Sequence, residues 1–232
     1  MKRFFAKEIN ENQAFLSEEE LHHCLHVLRV QEKELVEITD GNGHLWTALP
    51  LIISKKTVVF QLQDLLTITT ENPAICTLAV ALTKNIDRIE WLLEKATEIG
   101  LKAFYPIITQ RTERKKVRMD RLEKILIAAT KQSERLWIPE LHEPMELDDF
   151  LEVTNDRYKF IAHCVDTDNK KDLTDLLPDR KPATILIGPE GDFTALEIDK
   201  ALDKGYLPVS LGSFRLRVET AALAACVWIN WR

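Results

Sequence analysis

The spacing of apolar residues changes character once along the chain. Up to about residue 70 the apolar positions form short β-like runs and one helical segment, which Ser17 and Glu20 open as a capping box. The β-like runs are ELVEITD, HLWTALPLI and KTVVFQLQDLL, and the helical segment is LHHCLHVLRV. The turn residues DGNG at 40–43 predict a hairpin between the first two runs. Because a closed barrel leaves no strand edge exposed, we predict a small N-terminal β-barrel.

From residue 75 onward, strand-like runs alternate with helical patterns. The strand-like runs are CTLAVAL, AFYPIIT, YKFIAHC, TILIG and PVSLG. Asp87 and Glu90 predict a capping box at the start of the first helix, and Gly100 predicts its end. Further helices are expected around 118–135, from 194, and up to 228. This alternation predicts an α/β fold with a mostly parallel sheet covered on both faces.

The polar segment TITTENP, closed by Pro73, separates the two patterns. A chain of 232 residues is long enough for one large domain or two small ones. We therefore predict a barrel domain at residues 1–72 and an α/β domain at residues 73–232.

Composition narrows the class of protein. With 45% hydrophobic and 29% charged residues the chain can bury a core, and it contains no apolar run of the roughly 20 residues that span a membrane. The start, MKRFFAKEIN, lacks the apolar segment of a signal peptide, so a cytoplasmic protein is expected. Four cysteines without CxxC spacing predict reduced thiols. A net charge of -6 argues against coating nucleic acid by bulk electrostatics.

Two glycine-containing loops follow strand-like runs near the end of the chain. The sequence has no P-loop, GxGxxG, GxSxG or HExxH motif. Gly188 and Gly191 follow TILIG, and Gly212 follows PVS, in the position where open α/β sheets bind ligands. His163, after the strand-like FIA, is expected to line the same pocket. The alternative interpretation is that the glycines only form turns.

Polar residues after the second loop carry the candidate chemistry. Arg217 is placed to hold a phosphate or a carbonyl oxygen, whereas Glu219 and Thr220 either contribute to the site or cap the following helix. The histidine pair His22 and His26 has the i, i+4 spacing of a zinc site but no evident third ligand, so no metal site is predicted.

A basic run lies at residues 111–121. Six cations, Arg111, Arg114, Lys115, Lys116, Arg118 and Arg121, oppose Glu113 and Asp120, so the local charge is 6 - 2 = +4. We expect this run to contact phosphates, with Arg3 and Arg29 of the barrel as possible extensions of the patch. A solvated surface is the alternative interpretation.

Seven segments, which follow one another along the chain, together resemble the RsmE family, which methylates N3 of a uridine in small-subunit ribosomal RNA. They are RFF, HHCLHVLRV, TKNIDRIEWLLEKATEIG, QRTERK, ATKQSERLWIP, IGPEGDFTALE and LGSFRLRVETA. The resemblance implies a PUA-like RNA-binding barrel, a SPOUT-type domain with a trefoil knot that binds S-adenosylmethionine, and a homodimer acting on ribosomal RNA or the 30S subunit. It places the cofactor site at Gly188, Pro189, Glu190, Gly191, Leu211, Gly212, Leu216 and Thr220.

The chain departs from the family pattern at two places. The family's GPEGG is GPEGD here, so Asp192 stands where a glycine is usual and that position is expected not to need a glycine-only conformation. The family's LGPRILR is LGSFRLR, which moves a basic residue from the position of Phe214 to Arg215. The resemblance still implies donor binding, with the details of RNA contact changed.

The implied reaction needs charge stabilisation and a proton acceptor. We expect Arg217 to stabilise negative charge on a uracil oxygen, and Glu219 either to accept the N3 proton or to cap its helix. Two alternative functions are a non-catalytic RNA-binding assembly factor and a methyltransferase that acts on another RNA base.

Overall fold

The computed structural model describes residues 1–54, 57–165, 170–177 and 179–231. The chain divides into two compact units: Met1–Asn72 with Thr130–Ile138, and Pro73–Ala129 with Pro139–Arg232. The division after Asn72 coincides with the predicted boundary. The segment Thr130–Ile138, however, was predicted in the second domain and groups with the first.

The first unit is a closed five-stranded barrel, as the sequence predicts. Its strands follow the order β1-β2-β5-β4-β3, and β3 closes the barrel by pairing parallel to β1. Phe4, Ile38 and Phe60 are fully buried in its core, where the rings of Phe4 and Phe60 stack 5.8 Å apart. The strands are β1 Arg3–Asn10, β2 Gln13–Leu16, β3 Val36–Thr39, β4 His44–Ile53 and β5 Val58–Ile68.

The helical segment of the barrel unit starts at the predicted cap and then changes geometry. Ser17 Oγ accepts a hydrogen bond from Glu20 N, which caps α1 (Glu18–His22), and a π-helical turn follows at His23–Val27. Glu20 does not complete the predicted capping box because its carboxylate forms a buried ion pair with Lys131. This contact is one reason why Thr130–Ile138 belongs to the first unit.

Residues 136–138 hold the same segment against the barrel. Trp137 Nε1 donates to Thr69 Oγ1 at 2.8 Å, and Gly43 N donates to Leu136 O at 2.9 Å. Gly41 and Gly43 have positive φ, and a Cβ at Gly41 would lie 2.6 Å from Ile138 Cδ1. The glycines of the predicted hairpin thus allow close approach of a segment about 95 residues further on in the chain.

The second unit contains an eight-stranded sheet. Its order is β11-β13-β10-β12-β6-β7-β8, with β9 also paired to β7, and each of the described pairings is parallel. The five long strands coincide with the five predicted runs. The strands are β6 Cys76–Ala81, β7 Leu101–Ile108, β8 Glu140–Leu141, β9 Met145–Glu146, β10 Tyr158–Ala162, β11 Lys171–Asp172, β12 Ala183–Ile187 and β13 Leu207–Ser210.

The described residues after the barrel strands form six helices. Gly100 ends α2 as predicted. The N-cap of α2, however, is Asn85 and not the predicted Asp87, and the Asn85 side chain accepts a hydrogen bond from Asp87 N. Glu90 instead forms an ion pair with Arg121. Thr194 and Glu197 form the full capping box expected at α6. The helices are α2 Ile86–Ile99, α3 Met119–Gln132, α4 Leu147–Val153, α5 Leu173–Leu176, α6 Ala195–Asp203 and α7 Val218–Trp231.

The central strands are buried. All six residues of β6 and all five of β12 are inaccessible or nearly so, as expected for parallel strands covered by helices. No helix among the described residues is long and apolar enough to span a membrane. A trefoil knot in this unit stays a prediction from the family resemblance.

Candidate functional site

The parallel sheet brings five loops to one edge. Strands β13, β10, β12, β6 and β7 are consecutive neighbours, so the loops that follow their carboxyl ends lie side by side. This is the edge at which open α/β sheets bind ligands. The two loops predicted to bind the cofactor, here called the GPEGD loop (residues 188–192) and the LGSFRLR loop (residues 211–217), follow β12 and β13.

A cavity of about 820 Å³ opens at this edge. It contains eight of the eleven residues predicted for the cofactor and the chemistry: His163, Gly188, Pro189, Glu190, Leu211, Gly212, Leu216 and Arg217. Asp192, Phe214 and Arg215, which depart from the family pattern, also line the cavity. Four further polar residues of the lining were not predicted: Arg88, Cys164, Lys170 and Ser213. Its volume lies within the usual range for cofactor pockets.

Gly191 and Thr220, both predicted to contact the cofactor, lie outside the lining of this cavity. Gly191 instead contacts Arg111: its carbonyl oxygen accepts from Arg111 Nη1 at 2.6 Å, and a Cβ there would lie 3.3 Å from Arg111 Cδ. Thr220 is exposed in the first turn of α7. The absence of a side chain at Gly191 therefore makes room for an arginine of the basic run.

Asp192 occupies the position where the family resemblance has a second glycine. Its φ is +63°, a left-handed conformation that aspartate adopts more readily than most residues. The position thus retains glycine-like backbone geometry, although not one restricted to glycine. The Asp192 carboxylate accepts from Cys164 N and from Phe193 N, each at 2.8 Å. The substitution consequently connects the GPEGD loop to the loop after β10.

Two further contacts fix the GPEGD loop. Glu190 Oε1 accepts from Lys84 N at 3.2 Å, which connects it to the loop after β6. Phe193 is buried against Gly188, where a Cβ would lie 3.0 Å from Phe193 Cδ2. Together with Arg111 and Asp192, these contacts hold the loop from three neighbouring strand ends.

The basic run at 111–121 divides into structural and free cations. Arg114 Nε and Nη2 donate to Lys84 O at 3.1 and 3.0 Å, so Arg114, like Arg111, holds a loop of the site. Arg118 pairs with Asp120, and Arg121 pairs with Glu90. Lys115 and Lys116 are exposed and have no ion-pair partner among the residues that the structure describes. These two lysines are therefore the best placed of the run for phosphate contact.

The two barrel arginines predicted to extend the patch differ from each other. Arg3 Nε donates to Glu37 Oε2 and Arg3 Nη1 to Glu134 O, both at 2.8 Å, so this guanidinium serves the barrel unit itself. Arg29 is exposed, with φ +49°. Of the two, Arg29 has the side chain available for RNA.

Among the described residues, the LGSFRLR loop has fewer hydrogen bonds to neighbouring loops than the GPEGD loop has. Gly212 has φ +104°, and a Cβ there would meet no atom within 4 Å. The hydrogen bonds described for this loop are local: Gly212 N donates to Ser210 Oγ at 3.1 Å, and Ser210 Oγ donates to Gly212 O at 3.3 Å. Phe214, Arg215 and Arg217 are exposed beside the cavity.

Glu219 is buried below this loop. Its residue exposure is 8%, Oε1 lies 3.7 Å from Arg88 Nε, and Oε2 has no hydrogen-bond partner among the described residues. Arg88 lies in the first turn of α2, where the helix dipole disfavours a cation. That unfavourable position signals in the sequence that the cation of Arg88 needs a partner, but it does not indicate which one.

His163 is buried at the cavity wall. Burial and the nearby Lys170 ammonium lower the pKa of its imidazole below the ordinary value, with a smaller opposing effect of Asp192. Lys170 Nζ donates to His163 O at 2.7 Å, and His163 Nδ1 has no partner among the described residues. His163 Nδ1 is therefore a buried nitrogen without a described partner, behind the surface that the residue contributes to the cavity.

The histidine pair on the barrel helix shows the spacing seen in the sequence. The rings of His22 and His26 lie 4.7 Å apart. Among the described residues there is no group of three or more histidine, cysteine or carboxylate side chains that could hold a metal ion.

Known proteins match both units. The family model described as an RNA methyltransferase domain matches residues 70–230, and an RNA methyltransferase PUA domain matches residues 16–63. The chain is 34% identical to ribosomal RNA small subunit methyltransferase E from Synechocystis over 97% of this chain and 75% of that protein.

Solved structures match over nearly the whole chain. A probable rRNA-methyltransferase from Porphyromonas gingivalis superposes with a TM-score of 0.90 and 34% identity, covering 100% of this chain and 98% of that one. A putative methyltransferase from Legionella pneumophila, in complex with the bound cofactor SAM, superposes with a TM-score of 0.85 and 30% identity. The match covers 99% of this chain and 96% of that one. With a PUA barrel, a parallel-sheet methyltransferase domain and these relatives, the chain belongs to the ribosomal RNA small subunit methyltransferase E family.

Proposed function

We propose that this protein transfers a methyl group from S-adenosylmethionine to N3 of one uridine in small-subunit ribosomal RNA. The observation that carries the proposal is the cavity at the carboxyl edge of the sheet. There the GPEGD and LGSFRLR loops meet, and Arg217 lines the same space as Gly188 and Gly212. Relatives named for this activity, and a similar structure with bound SAM, support it.

The residues at the cavity fit the cofactor. Backbone groups near Gly188 and Gly212 are open to close approach, and Glu190 and Asp192 supply carboxylates beside a sulfonium and an amino group. His163 contributes to the wall beside the GPEGD loop. Pro189, Leu211 and Leu216 provide apolar surface for an adenine ring. When bound, S-adenosylmethionine supplies an electrophilic methyl group.

Arg217 acts on the substrate base. Its guanidinium lies at the cavity and is exposed, so it is available to a uracil carbonyl oxygen. As N3 loses its proton, negative charge spreads onto the two carbonyl oxygens of the ring. A cation that reaches either oxygen stabilises the charge where it develops.

Glu219 is the proposed proton acceptor. Its unpartnered Oε2 is a carboxylate oxygen with free acceptor capacity, and Arg88 holds the other side of the same carboxylate. Because Glu219 lies behind the cavity wall, proton transfer requires either a small movement of the first turn of α7 or a bridging water. If Glu219 only orients Arg88, replacement by glutamine changes KM more than the pH dependence of kcat.

RNA contact is assigned to free cations of each unit. In the second unit these are Lys115 and Lys116, and in the barrel unit Arg29. Phosphate contacts position the RNA without specifying sequence, so the choice of uridine depends on base contacts at the cavity. We also propose a homodimer in a cytoplasmic setting, for which the exposed Trp91 on α2 and Trp231 on α7 offer apolar surface.

The experiment that tests the proposed function is restoration of one modification. Ribosomal RNA from a strain lacking the gene is mapped for a lost N3-methyluridine, and purified protein with S-adenosylmethionine is added to its 30S subunits. Restoration of that single methyl group is the expected result. Binding of RNA without methyl transfer would identify an assembly factor, and methylation of another base would change the substrate assignment.

A further inference from the structure

Phe214 is the most exposed large hydrophobic side chain among the residues that the structure describes, at 85%. It lies in the LGSFRLR loop and contributes to the rim of the cavity. A phenylalanine ring left in water contributes nothing to the hydrophobic core. The local fold therefore gives no reason for an aromatic residue at this position.

The surroundings of Phe214 carry positive charge. Arg215 and Arg217 are exposed in the same loop, and Arg217 is the residue assigned above to the uracil oxygen. Within the described part of the chain, the hydrogen bonds of the loop are local ones through Ser210 and Gly212. An exposed aromatic ring between polar and cationic residues, at the mouth of a ligand cavity, matches the chemistry by which proteins hold unstacked RNA bases.

We propose that Phe214 is the surface on which the target uracil stacks after it leaves the RNA helix. A base that turns out of its stack loses contact with its neighbours, and an aromatic face replaces that contact. Stacking against Phe214 also fixes the plane of the ring, so that its edge faces Arg217 and the cavity. The inference rests on the proposed function, because it concerns the substrate of the same site.

The experiment compares Phe214 variants with wild type on one RNA. The probe is a ribosomal RNA fragment that contains the uridine methylated by the wild-type protein, and binding is measured by fluorescence anisotropy. Phe214→Ala is expected to weaken binding about five- to 150-fold, the range for loss of one base-aromatic contact. Phe214→Leu is expected to lose most of the same affinity, and Phe214→Trp to retain it.

A matched control tests whether exposed apolar surface alone explains the effect. Leu196 on α6 is 64% exposed and lies outside the cavity. Leu196→Ala is expected to bind RNA like wild type, and all variants are expected to bind S-adenosylmethionine with wild-type affinity. Retained donor binding shows that the Phe214 variants are folded at the site.

An RNA that lacks only the target base distinguishes the stacking partner. On the same fragment with an abasic site at that position, wild type and Phe214→Ala are expected to bind equally. If the variant loses the same factor on the abasic fragment, the ring contacts something else and the proposal is overturned. Dissociation of a wild-type dimer by Phe214→Ala in sedimentation would also overturn it, because the ring would then contact a second copy of the chain.

The outcome for Phe214 is separable from the proposed function. If wild type does not methylate the RNA, the proposed function fails. If wild type does methylate it while Phe214→Ala and Phe214→Leu match wild type in RNA affinity and kcat/KM, the stacking role alone fails.

Discussion

The GPEGD and LGSFRLR loops occupy equivalent positions after parallel strands but are built in opposite ways. Arg111, Lys84 and Cys164, from the loops after β7, β6 and β10, all hold the GPEGD loop. The LGSFRLR loop makes local bonds at Ser210 and Gly212, and it exposes Phe214 to solvent.

This difference separates two tasks within one cavity. Donor binding requires loop backbone fixed in advance, because each group ordered on binding costs conformational entropy. RNA arrives as a large, variable surface, and side chains that meet it need access more than rigidity. The fixed loop is therefore assigned to the donor alone. The open loop contributes Leu211 and Gly212 to the donor, and its exposed Phe214 and Arg217 are assigned to the RNA base.

The largest expected effect falls on the open loop. Arg217→Ala is expected to lower kcat with RNA about 100- to 1,000-fold, the usual cost of removing one group that stabilises developing charge. S-adenosylmethionine affinity should change far less. Single-turnover methylation and calorimetric donor titration measure the two, with Arg180→Ala, an exposed arginine outside the cavity, as the control. Wild-type turnover in Arg217→Ala would remove the residue from the mechanism.

The next effect falls on the fixed loop. Arg111→Ala removes the hydrogen bond to Gly191 O. Because this arginine is largely exposed, we expect the free energy of S-adenosylmethionine binding to weaken by about 1–2 kcal/mol, which is about five- to thirtyfold in affinity. Arg118→Ala, which removes only the pairing with Asp120, is the control. If both variants bind the donor equally well, the GPEGD loop does not depend on its contact with Arg111.

A smaller effect is expected at the free lysines. Reversing charge with Lys115→Glu and Lys116→Glu should weaken RNA binding several-fold and lower its salt dependence, since each lost phosphate contact reduces the log-log slope by roughly 0.7. Donor affinity should stay at the wild-type value. Lys181→Glu, at the amino end of β12 and thus away from the cavity edge, is the control. If the slope of log RNA affinity against log salt concentration is unchanged, the two lysines do not contact phosphates and belong to a solvated surface.

The smallest effect concerns the wall between the loops. Because the pKa of His163 is lowered in the folded protein, the unfolded chain binds more protons below about pH 6.5. The free energy of unfolding should therefore fall as pH decreases from about 6.5, by less than about 1.4 kcal/mol per pH unit from this residue. Urea unfolding at pH 7.5 and 5.5 should show a weaker pH dependence in His163→Gln than in wild type.

Exposed His23 provides the comparison for that measurement. His23→Gln removes an exposed histidine of the barrel unit and is the matched control. An equal loss of pH dependence in both variants would mean that burial of His163 is not its cause.

Local patterns in the sequence predict most elements of the fold. Strand runs, the hairpin and the cap at Thr194 depend on neighbours within a few positions, and the structure contains each of them. The cap of α2 was misplaced by two residues because Asp87 and Asn85 both have suitable side chains. The cavity residues within strand-end loops were predictable for the same reason.

Contacts between distant residues were not predictable in the same way. Arg111 and Arg114 carry the charge expected for RNA binding, yet their guanidinium groups bind the carbonyl oxygens of Gly191 and Lys84. Arg88 reaches Glu219 across more than 130 positions. A single sequence contains no signal for such pairs, because any basic residue at the surface would satisfy the same local pattern.

The segment Thr130–Ile138 has a consequence for how the chain is made. The barrel strands end at Ile68, but the unit that contains them includes residues up to Ile138. During synthesis, about 70 further residues must therefore be added after the last barrel strand before the first unit is complete. A fragment that ends at Asn72 would lack Trp137 and Lys131 and their contacts with Thr69 and Glu20. The first unit is therefore encoded by two separate stretches of the sequence.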